Sequence, residues 1–118
     1  MPAVFPESNA KIKIGPPDRF ARGSETHLGS LSLWVIRDSR GLYAISAICT
    51  HLGCVTKRDT DTGNFKCACH GSQFNPEGTV TAGPAPKGLN WLALSVAPDG
   101  QVVVDRRRTV KSGTRLVV

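Results

Sequence analysis

Apolar and polar residues alternate with a period of two at several places along the chain, and nowhere with the period of a helix. Lys11-Ile12-Lys13-Ile14 is the first such alternation. It predicts a short strand, because successive side chains of a strand point to opposite faces. Gly15-Pro16-Pro17-Asp18 ends it. Residues 31–37, with Trp34, Val35 and Ile36, predict a second strand. The turn Ser39-Arg40-Gly41 then leads into residues 42–48, which complete a hairpin. Near the C-terminus, residues 89–96 and 101–105 flank Pro98-Asp99-Gly100 and predict another hairpin. Pro and Gly interrupt every window long enough for an amphipathic helix. The fold class predicted is all-β and antiparallel.

Residues 49–86 break this pattern. They hold all four cysteines and two of the three histidines, and they are poor in apolar residues. Thr60-Asp61-Thr62-Gly63-Asn64 reads as a hairpin tip leading into Phe65 and Lys66. The segment reads as an insertion between two hairpins. The expected organisation is a discontinuous antiparallel β-sandwich base domain, residues 1–48 and 87–118, around a small inserted subdomain, residues 49–86. Burial of apolar surface cannot hold such an insertion alone, so a crosslink or metal is expected.

Composition narrows the picture little. At 118 residues, with 40% hydrophobic and 20% charged positions, the chain has the size and usage of one globular domain. Its apolar runs are too short for a transmembrane helix. The net charge of +6 reads as a solvated positive surface. Arg106, Arg107 and Arg108 are too few for a nucleic-acid stripe, and aromatics do not interleave with the basic residues, so no nucleic-acid partner is expected.

The cysteines form two boxes, Cys49-Thr50-His51-Leu52-Gly53-Cys54 and Cys67-Ala68-Cys69-His70-Gly71-Ser72. A closed zinc site takes four ligands and would leave two of these six side chains unexplained. Two disulfides would explain the cysteines and leave the histidines idle, and so would a cluster held by four thiolates. A thioredoxin-type pair needs Cys-x-x-Cys, which is absent. A nucleophile with its base would not need two matching loops. One arrangement employs all six: two cysteines and two histidines on a 2Fe–2S cluster, with the remaining two cysteines in a disulfide.

The boxes resemble those of Rieske iron–sulfur proteins of the cytochrome bc-complex type, the disulfide-containing branch. The likeness extends from Lys11-Ile12-Lys13-Ile14 to Gly83-Pro84-Ala85-Pro86 and the strand of Trp91. It implies one 2Fe–2S cluster, with Cys49 and Cys67 on one iron and His51 and His70 on the other, exposed one. It also implies a Cys54–Cys69 disulfide, the pairing that the symmetry of the two loops favours. Ser72 would donate a hydrogen bond to a cluster sulfur. Residues 83–86 would be a proline loop covering the cluster, and Leu52 would help dock at a quinol pocket. In high-potential members an aromatic hydroxyl stands where this chain has Phe74, so a lower potential is expected, suited to menaquinol.

The function so implied is one-electron transfer from a membrane quinol held in a cytochrome b-type subunit to a c-type cytochrome, with proton coupling at His51 and His70. A disulfide requires an oxidising compartment, so a periplasmic site or the outer face of an energy-transducing membrane is expected. Such subunits carry a membrane anchor. The chain begins Met1-Pro2-Ala3 where a hinge would end and is expected to be a piece lacking that anchor. The alternatives are the Rieske small subunit of an arsenite oxidase-like molybdoenzyme and an oxygenase-type Rieske ferredoxin. Outside the boxes, His27 reads as a surface residue, Trp34 and Trp91 as core, Tyr43 as core or edge packing, and Lys57 and Arg58 as polar loop.

Overall fold

The structure is a computed structural model, and it describes residues 11–49, 54–59, 61–69 and 71–117. His51, Leu52 and His70 lie outside the described residues. Among the described residues ten strands run in chain order: β1 (Lys11–Gly15), β2 (Glu25–Leu28), β3 (Leu33–Asp38), β4 (Gly41–Ser46), β5 (Lys57–Arg58), β6 (Phe65–Lys66), β7 (Gln73–Phe74), β8 (Val80–Ala82), β9 (Trp91–Val96) and β10 (Val102–Val110). Among the described residues the only helical pieces are two single 3-10 turns, Pro17–Arg19 and Gly29–Leu31. No helix there is long and apolar enough to cross a membrane.

Six strands form one antiparallel sheet in the order β1-β10-β9-β4-β3-β2. It wraps around a core that joins Ile14 and Val104 at one end to Leu33 and Val35 at the other, with Phe20 filling the space between. The all-β antiparallel expectation holds. The second sheet, β5-β6-β7-β8, is built from residues between β4 and β9. Its register sorts its side chains into two rows. Lys57, Lys66, Gln73 and Ala82 line up on the solvent face. Arg58, Phe65, Phe74 and Val80 line up on the inner face, where both phenylalanines are fully buried.

A second core lies under this row. It combines Ile36, Tyr43, Ile45 and Trp91 of the large sheet with Phe65, Phe74, Cys49, Cys67, Ala85 and Leu89. Two polar contacts fasten the sheets across it. The Trp91 indole N–H donates to the Glu77 carbonyl at 2.8 Å. Arg58 donates through Nε and Nη2 to the two carboxylate oxygens of Glu25, at 3.0 and 3.1 Å.

Arg58 corrects the sequence reading of residues 57–58 as polar loop. Its side chain is only 3% exposed, and its guanidinium faces the rings of Phe65 and Trp34 at 4.7 and 5.6 Å. Trp34 is half-buried rather than core, because β3 faces the outermost strand β2 and His27 stacks on the indole at 4.6 Å. β2 itself, Glu-Thr-His-Leu, gave no apolar alternation to read. β10 runs past residue 105 to Val110, through a break in register between Asp105 and Thr109.

Candidate metal centre

Each cysteine box is closed at its base by backbone pairing. In the first, Ile48 bridges Val55, and the Cys49 N–H donates to the Cys54 carbonyl at 2.6 Å. Thr56 fixes the base of this loop: its hydroxyl and its N–H both donate to the Ala47 carbonyl, at 2.7 and 2.6 Å. The second box caps the β6–β7 hairpin. The Cys67 N–H donates to the Ser72 carbonyl at 2.8 Å, and the Gly71 N–H returns to the Cys67 carbonyl at 3.0 Å. Gly71 has φ +76°, a left-handed conformation that glycine adopts without a Cβ penalty.

Cys54 and Cys69 are joined in a disulfide, with Cα atoms 6.6 Å apart. The expected crosslink between the loops is therefore present. Cys49 and Cys67 lie outside it, both buried and both in the core beneath the second sheet. The sulfurs of Cys54, Cys67 and Cys69 lie within 4.8 Å of one another. Two of those are consumed by the disulfide, so this trio does not form a three-thiolate metal site, and Cys67 is its one thiol.

Residues 83–86 pack against Ser72, the last residue of the second box. The Ala85 N–H donates to the Ser72 hydroxyl at 3.2 Å, and Ser72 has no solvent exposure. Gly83 sits at φ +90° directly on the backbone of Ser72, where any Cβ would collide with the Ser72 Cα. Phe74 is fully buried in the same core as Cys49 and Cys67. Around the neck of the first loop the surface is apolar, with Ile48 40% and Val55 55% exposed.

The donor set fits a mixed-ligand iron–sulfur cluster on this geometry. Two buried thiol side chains come from two loops that a disulfide and backbone bonds hold together, and each loop carries a histidine in its sequence. Sequence reading found both loops and the disulfide pairing. It missed Thr56 and the Ala85–Ser72 bond, which have no motif signature.

Comparison with known proteins agrees. Residues 10–111 match the family model described as the Rieske [2Fe-2S] domain. The chloroplastic cytochrome b6-f complex iron-sulfur subunit of Fritillaria agrestis is 41% identical over 75% of this chain and 39% of its own length. A cytochrome b6-f complex iron-sulfur subunit of Synechocystis is 45% identical over 57% of this chain and 37% of its own. The chain thus spans less than two-fifths of the length of these relatives. Among solved structures, the cyanobacterial plasma membrane Rieske protein of Synechocystis superposes with a TM-score of 0.51 at 29% identity, over 69% of this chain and 83% of that one. With the family model matched over residues 10–111 and the disulfide between the two boxes in place, the chain belongs to the Rieske [2Fe-2S] domain family and carries one Rieske-type 2Fe–2S cluster.

Proposed function

We propose that this domain is the electron-transfer part of a quinol-oxidising membrane complex of the cytochrome bc or b6-f type. On this reading it takes one electron from a quinol at a cytochrome b-type subunit and passes it to a c-type cytochrome. The observation that carries the proposal is the burial of Cys49 and Cys67 in loops crosslinked by Cys54–Cys69. The crosslink counts against the oxygenase-type ferredoxin reading, since those proteins generally lack the extra pair. It also favours an oxidising compartment, hence the outer face of the membrane.

In this proposal residues 49–86 act as the cluster-binding subdomain, with Cys49 and Cys67 holding the inner iron and His51 and His70 the outer one. The cluster supplies a one-electron acceptor whose potential is raised because two neutral imidazoles replace two thiolates. Each imidazole, ligating through one ring nitrogen, would carry on the other a proton that the oxidised cluster makes acidic; once that proton is lost to solvent, the bared nitrogen could accept one proton from the quinol as the electron arrives. The Ser72 hydroxyl accepts the Ala85 N–H, which leaves its own proton to donate towards a cluster sulfur. Phe74 offers no hydroxyl at the neighbouring position, so the potential should lie below that of members with tyrosine there. The exposed Ile48 and Val55 supply an apolar rim for docking at the quinol pocket, the role that the resemblance gives to Leu52.

Redox titration across pH tests the reading. The midpoint potential should be flat at low pH and fall as pH rises past the histidine titrations. Replacing His51 or His70 by alanine should abolish the mixed-ligand spectrum. A potential independent of pH throughout, or a spectrum that survives both substitutions, would overturn it.

A further inference from the structure

The break in β10 extrudes a cationic bulge. Asp105 pairs with Ala93 and Thr109 with Leu92, so four steps on β10 match one step on β9. Arg106, Arg107 and Arg108 are pushed out of the ladder, and all three are exposed. The Arg107 N–H donates to the Asp105 carboxylate at 3.0 Å, which fixes the turn of the bulge. Among the described residues none of the three guanidinium groups makes a hydrogen bond or ion pair. Three adjacent cations without a charged partner repel one another.

Their surroundings suggest an occupant. Lys11 lies opposite Asp105. Lys11, Asp105 and Arg108 line a cavity of about 280 Å³ whose apolar wall includes Leu94, Val103 and Leu116. Beyond the bulge Val110 pairs with Trp91, whose indole reaches the inserted sheet at Glu77. The bulge therefore lies towards the end of the large sheet that carries the insertion. On the quinol-oxidising reading proposed above, that end would face the bilayer.

We propose that Arg106, Arg107 and Arg108, with Lys11 beside them, form a docking surface for the anionic headgroups of membrane phospholipids. This rests on the quinol-oxidising reading for its orientation and on the bulge for its chemistry. A guanidinium fork matches phosphate oxygens bidentately, as an ammonium does not. Near an anionic bilayer each arginine multiplies partition by a factor of about five.

The test is flotation of the cluster-bearing chain with vesicles of phosphatidylglycerol and phosphatidylcholine, against vesicles of phosphatidylcholine alone. Binding is expected to the anionic vesicles only. The variant R106Q/R107Q/R108Q should lose about 100-fold in partition. The variant K57Q/K66Q, which removes charge from the inserted sheet instead, should bind like the parent. Inorganic phosphate at the concentration of the lipid phosphate should not displace the chain. No binding, equal binding to neutral vesicles, displacement by phosphate, or equal losses in the two variants would overturn the proposal. Should the triple variant lose its native visible circular dichroism, R107E supplies the comparison. The redox titration of the preceding section is independent of vesicles, so either reading can fail without the other.

Discussion

Arg58 does at the scale of one residue what the cluster ligands cannot do, which is to hold the inserted sheet against the large one. Its guanidinium lies between Phe65 and Trp34 and pairs with Glu25, a residue 33 positions earlier. The pairing is costly to break from one side, because Arg58 is almost wholly enclosed and its Nη1 already lacks a partner. Glu25 is 34% exposed and can be rehydrated. Glu25→Gln should therefore lower stability by about 3 kcal/mol, since it strands the enclosed guanidinium, and R58A by about 2 kcal/mol, since it leaves a carboxylate that water can reach and loses the contacts with the two rings. The double variant E25Q/R58M should recover most of the loss, since an apolar chain of similar length fills the same space. Urea unfolding followed by tryptophan fluorescence measures all three, and a double variant no better than R58A would contradict the account. The two boxes and the Cys54–Cys69 crosslink were legible in the sequence because metal and disulfide chemistry restricts residue type and spacing. Arg58 was not, because its partners are set by three separate strands and its neighbours in sequence are ordinary polar residues.

At the scale of elements, the second box is held by the loop of residues 83–86 as well as by the disulfide. Gly83 is the position that permits this approach. Gly83→Ala adds a Cβ against the Ser72 backbone at a φ that side chains disfavour. It should cost about 2 kcal/mol and lift the covering loop from Ser72. Loss of visible absorbance in the presence of an iron chelator should then run faster than in the parent, while unfolding of the large sheet stays near normal. An unchanged rate would show that the loop does not guard the centre. Reducing the Cys54–Cys69 bond, which closes a loop with a sequence separation of 15, should cost roughly 3 kcal/mol by releasing the unfolded chain. The hairpins β3–β4 and β9–β10 were readable from alternation and turn residues. β2 and β8 were not, since the first is a polar edge strand and the second, Val-Thr-Ala, is too short to show a period.

At the scale of the whole molecule, the C-terminal segment fastens to the middle of the large sheet. Leu42 and Leu116 exchange both backbone hydrogen bonds, at 2.9 and 2.8 Å. Arg115 lies over Tyr43 at 4.2 Å, with Tyr43 stacked on Trp91 at 4.4 Å, and donates through Nε and Nη2 to Asp38 Oδ2. This cation, helped by the Arg40 and Gly41 amides and opposed by partial burial, holds the Asp38 carboxyl down at about 2, from 3.8. A depressed carboxylate stabilises the fold above its unfolded value and stops doing so as pH falls through the folded one. The stability gap between the parent and D38N should thus be full at pH 5 and close as the pH falls from about 4 to about 2. A gap that persisted unchanged at pH 2 would mean that Asp38 acts by shape rather than charge. None of this was visible in the sequence, where residues 111–118 show no periodicity. The wall of the centre has a further consequence for assembly. Ala85, Leu89 and Trp91 join the core of Cys49 and Cys67, yet all three follow both boxes in the chain. A ribosome delivers the thiols first and their shelter later, so during synthesis those sulfurs stand open to oxidants, and to wrong crosslinks, until the last hairpin arrives.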